Sequence, residues 1–107
     1  MLIRSQNKEI LIAFEHLLDV EVSGVVISAR RDMEWSFLLG EYSTKAKAMK
    51  VLDMIQEAYA DEKLVDYTKY LQLKEIEKMD DSTILALRNE LMKKAVFQMP
   101  EDSEVEV

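Results

Sequence analysis

A chain of 107 residues with 49% hydrophobic and 33% charged residues has the make-up of one ordinary globular domain, not of a disordered segment. Its 21 acidic residues outnumber 14 basic ones, a net charge of −7, which disfavours nucleic-acid binding and docking on anionic lipid. There are no cysteines, so disulfides, thiolate nucleophiles and cysteine-held metals are excluded.

The opening MLIRSQNKEI turns polar within a few residues, unlike an export signal. No stretch reaches the roughly 20 apolar residues of a membrane span. The reading is a cytoplasmic protein with no membrane partner. Residues 2–42 alternate with period two. Ile10, Ile12 and Phe14 share a face, as do Leu18, Val20 and Val22, then Val25, Ile27 and Ala29, then Trp35, Phe37 and Leu39. Turns are expected at Asn7-Lys8, Ser23-Gly24 and Arg31-Asp32. Short turns join antiparallel neighbours, so the expectation is an antiparallel β-meander of about four or five strands, with Trp35 in the core.

From residue 43 the period changes to that of a helix. Ser43 or Thr44 is the expected N-cap, and Ala48, Val51, Leu52, Ile55 and Tyr59 recur on one face. A second helix is expected from Asp61, a loss of phase over Leu73, Ile76 and Met79, and a third helix after Asp80-Asp81-Ser82. Residues 95–99 read as a possible closing strand, ended by Pro100, which has no N–H for a ladder. The fold class is therefore α+β: the meander, two or three helices, and that last strand. The domain is placed at 1–99, and 100–107, with Glu101, Asp102, Glu104 and Glu106, at a flexible acidic tail.

Three stretches resemble a family of small proteins from Gram-positive bacteria and their phages that carries no assigned activity. They are MLIRSQ at 1–6, LGEYSTKAKAMKVLDMIQEAY at 39–59 and FQMPEDSEVEV at 97–107. The resemblance implies a small accessory protein of the cytoplasm and transfers no catalytic or binding residue.

Chemistry is sparse. With only Gly24 and Gly40, no glycine-rich phosphate loop can be written. His16 is the single histidine and has no nucleophile with oxyanion donors beside it. Asp80 and Asp81 lack the ligand spacing of a calcium loop and read as helix caps. No catalytic residue, metal site or cofactor is expected, and the chain reads as a non-enzyme. One polar cluster stands out: Ser43, Thr44, Lys45 and Lys47 gather at a helix start. Lysines there oppose the macrodipole, and a bound anion reverses the sign, so these four form the candidate anion site.

The functional expectation is a small regulatory or interaction protein that binds another protein through a sheet edge or helical face. The runner-up is an acidic inhibitor occupying the DNA-binding surface of a host protein. Homo-oligomers through an open sheet edge remain a further option.

Overall fold

A computed structural model describes residues 1–72, 82, 85–86 and 95–107. Its order is β1 (Leu2–Arg4), β2 (Leu11–Ala13), a 3-10 turn (Phe14–His16), β3 (Asp19–Ser23), β4 (Val26–Arg30), β5 (Ser36–Glu41), α1 (Lys45–Gln72), β6 (Val96–Gln98) and a 3-10 turn (Asp102–Glu104).

The strands form two three-stranded sheets, ordered β2-β1-β6 and β3-β4-β5. In the first, β1 pairs antiparallel with β2 and parallel with β6, in the register Leu2↔Val96, Ile3↔Phe97 and Arg4↔Gln98. The second is an antiparallel meander, irregular between Ile27 and Ser28 on β4. There Ile27 faces Gly40 and Ser28 faces Leu38, so Leu39 is the extra residue of a bulge. The β3–β4 turn depends on Gly24, whose φ of 61° favours a residue without a Cβ. The two sheets meet where the Gln6 N–H donates to the Leu39 carbonyl at 2.7 Å, with Gln6 Oε1 accepting from the Glu41 N–H.

This overturns the expected single meander of four or five strands followed by two or three helices. Alternation reports which side chains share a face, and it is silent on which strands are neighbours. Ile3, fully buried, sits in a strand flanked by β2 and by a strand from the far end of the chain. α1 runs through Asp61 to Gln72 with no break near residue 60, and Ser82, Leu85, Ala86 and Ala95 are helical as well. Nothing there forces a stop. Residues 41–99 contain no glycine or proline, and a mid-helix aspartate costs only a few tenths of a kcal/mol. The expected loss of phase at Leu73–Met79 and the third helix lie outside the described residues, save Ser82, Leu85 and Ala86.

The core lies where both sheets and α1 meet. Ile3 of β1, Ile27 and Ala29 of β4, Leu39 of β5, Tyr42, and Ala48, Val51 and Ile55 of α1 are buried together, joined by Met99 and Val105. The C-terminal acidic segment is therefore laid against the body rather than clear of it, since Val105 is only 5% exposed. Trp35, expected inside, is 60% exposed. It falls one residue before β5, in a loop where Asp32 Oδ1 accepts the N–H groups of Glu34 and Trp35 at 2.8 and 2.9 Å. No helix among the described residues is long and apolar enough to cross a membrane.

Candidate functional site

At the start of α1, where the sequence placed its candidate anion site, the structure sets the carboxylate of the chain's own Asp102. Thr44 is the N-cap, its Oγ1 accepting the Lys47 N–H at 3.2 Å while its carbonyl accepts the Ala48 N–H. Just before it, the Ser43 N–H donates to Asp102 Oδ1 at 2.7 Å. Lys47 Nζ lies 3.3 Å from Asp102 Oδ2 and donates to the Asp102 carbonyl at 3.0 Å. Ser43, Thr44 and Lys47 are thus brought together, and Lys45 stays on the exposed side of the first turn. The Ser43 N–H, then the Ser43 hydroxyl and Lys47, hold the Asp102 carboxyl below its usual range against the opposing effect of burial. A carboxylate at this end also offsets the cost of the Lys47 charge in the first turn.

Neighbouring contacts extend this seat. The Pro100 carbonyl accepts from Tyr42 OH at 2.9 Å and from Gln6 Nε2 at 3.2 Å. Gln98 Nε2 donates to the Ser5 carbonyl, and the Met99 N–H donates to the Arg4 carbonyl. Glu101 and Glu104 cap the last 3-10 turn reciprocally. Burial, with the charges of Glu101, Asp102 and Glu104, pushes the Tyr42 phenol up to about 12.

A second feature went unread in the sequence. A groove of about 410 Å³ runs between α1 and β3, walled by Phe14, Leu17, Leu18, Val20, Leu52, Ile55 and Tyr59, with Asp19 and Gln56 adding polar groups. Phe14 and Tyr59 pack with ring centroids 4.7 Å apart. Leu18 is 60% exposed at its mouth. Asp19 faces Arg30 directly across the ladder and is bound by its guanidinium, which holds the carboxyl below its usual range. The signal available was the Leu17-Leu18 doublet. A period-two strand can bury only one of two adjacent leucines, so the other must reach solvent or a partner.

Beside the groove, the Met1 α-amino group bridges Glu15 Oε1 at 2.7 Å and Glu62 Oε1 at 2.9 Å. Burial opposes the charge, but the two carboxylates prevail and raise its pKa above 8.0. Glu62 Oε2 is buried with no hydrogen-bond partner among the described residues. His16 sits exposed in the first 3-10 turn. Among the described residues no group of three or more acidic or histidine side chains could hold a metal ion. Asp80 and Asp81 lie outside the described residues. No protein-family model, no curated protein and no solved structure matches this chain.

Proposed function

We propose that this is a non-enzymatic interaction protein that takes an extended, apolar segment of a partner protein along the free edge of β3. The observation that carries this reading is the groove between β3 and α1. β3 is an edge strand with β4 as its one neighbour in the sheet, and strand addition needs such an edge beside pockets for alternate side chains. The apolar walls supply those pockets, and Leu18 stands exposed at the entrance. The one carboxylate in the lining, Asp19, is engaged by Arg30, so the groove presents no free general base. On the resemblance noted above, the setting we propose is the cytoplasm of a Gram-positive bacterium, with a role as a host or phage accessory protein.

The test is selection of peptides from a displayed random library on the full chain, with Leu18→Asp as the comparison. Selected peptides should alternate apolar and polar residues. Their affinity should fall at least about tenfold with Leu18→Asp, the scale of one buried leucine. Leu18 is exposed, so circular dichroism of the variant should match the parent. Peptides without alternation, or peptides indifferent to Leu18→Asp, would refute the reading.

A further inference from the structure

The segment from Val96 to Val105 is held as a ligand is held by a receptor. Its ladder bonds go to Leu2–Arg4, and its other polar contacts go to Ser5, Gln6, Tyr42, Ser43 and Lys47. Met99 and Val105 fill the core at 1% and 5% exposure. Seat and occupant are far apart in sequence: 94 positions between Gln6 and Pro100, 55 between Lys47 and Asp102. α1 begins at the seat and its 28 residues carry the chain about 42 Å away before Gln72.

We propose that this segment is an exchangeable arm, with Val96–Val105 of one copy filling the seat of a second copy and closing β1–β6 between chains. The partner is thus another molecule of this protein, and the proposal is independent of the groove. Everything that holds the arm is recreated in the exchanged form: the parallel ladder, the Pro100 carbonyl on Tyr42, Asp102 on Ser43 and Lys47, and Val105 in the core. Exchange changes only which chain supplies the arm. The balance then lies between a chain closing on its own seat and two chains associating. Loop closure grows only slowly with length, whereas association follows concentration, so concentrated refolding favours exchange.

The lack of cysteine in the chain makes the test direct. Leu2 and Val96 face each other in the register, and strand neighbours lie within disulfide reach. Full-length Leu2→Cys and Val96→Cys chains are mixed unfolded, refolded together at high concentration and oxidised. The expected result is a covalent heterodimer, reducible, well above the level given by Leu2→Cys mixed with Val107→Cys. Val107 is 79% exposed and measures random cross-linking. The double variant Leu2→Cys/Val96→Cys, refolded dilute, should bridge within one chain. Heterodimer at the control level, with the double variant bridged, overturns exchange. A double variant that fails to bridge overturns the seat itself. Arg4→Cys mixed with Gln98→Cys, at the register's last pair, repeats the measurement should either first-pair variant misfold.

Discussion

Asp102 and Ser43 are 59 positions apart, yet the carboxylate of one receives the backbone N–H of the other at 2.7 Å. The contact ties the acidic C-terminal segment to the start of α1. It should be visible in acid titration. The folded-state pKa of Asp102 is depressed below 3.8, so its contribution is complete above that value and is lost as pH falls through the lowered one. Asp102→Ala should therefore lower the melting temperature at neutral pH. The gap to the parent should close in acid. A gap that persists unchanged at low pH means that the carboxylate charge is not what holds the segment.

Tyr42 makes the alkaline counterpart. Its phenol donates to the Pro100 carbonyl and titrates at about 12. A raised pKa means stability that is whole below the ordinary value of 10.0 and lost as pH rises through the folded value. Tyr42→Phe removes that alkaline loss. At neutral pH it costs about 0.5–1.5 kcal/mol for the missing hydrogen bond. Chemical denaturation of both proteins at neutral and alkaline pH checks both halves of the statement.

Gly40 faces the same ring. A Cβ there would stand 3.1 Å from Tyr42 Cε2 and from its hydroxyl oxygen. Tyr42 is buried and held by Pro100, so the ring has little room to give. Gly40→Ala should cost about 1–3 kcal/mol, the usual price of overpacking. In the Tyr42→Phe background it should cost less, because one of the close atoms is gone and the ring is no longer tethered. Equal costs in both backgrounds would place the strain elsewhere.

Val105 and Val107 separate the packed part of the C-terminal segment from its exposed end. Val105 is in the core and Val107 is 79% exposed. Val107→Asp should shift stability by no more than about 0.5 kcal/mol. Val105→Asp buries an unpaired charge and should be far more damaging. Met99→Ala, at 1% exposure, should cost about 2–5 kcal/mol. A domain that tolerates Val105→Asp as readily as Val107→Asp does not pack this segment.

The only tryptophan reports on the β4–β5 loop. At 60% exposure Trp35 should be quenched by acrylamide in the folded protein almost as readily as in the unfolded one. Replacing it with alanine should change stability by less than about 0.5 kcal/mol. Strong protection from quencher would return it to the core.

Much of the local structure was readable and the assembly was not. Val20, Val22, Ile27, Ala29 and Leu39 face the core or pack on it, as their spacing in the chain suggests. Ala48, Val51 and Ile55 do the same on α1. Leu18, expected on the face of Val20 and Val22, is instead 60% exposed. The N-cap was narrowed to two residues, of which Thr44 serves. Trp35 lies one residue before β5, outside the strand whose alternation places Leu39 in the core, and so is exposed. The joining of α1 across Asp61 was missed because a capping residue permits a helix start without compelling one. At the helix start the residues of the candidate anion site meet a carboxylate of the same chain, Asp102. No local pattern announces a partner 59 positions away. For the same reason the pairing of β1 with β6 could not be read from either strand alone.

That pairing also sets an order of events during synthesis. The β3–β4–β5 meander needs nothing beyond Glu41, so its hairpins can close while the rest of the chain is still being made. The β2-β1-β6 sheet must wait until Gln98 has emerged. Throughout that interval Ile3, fully buried in the finished molecule, belongs to a strand that offers one open edge. A nascent chain stalled before residue 96 therefore leaves the β6-facing edge of β1 unpaired.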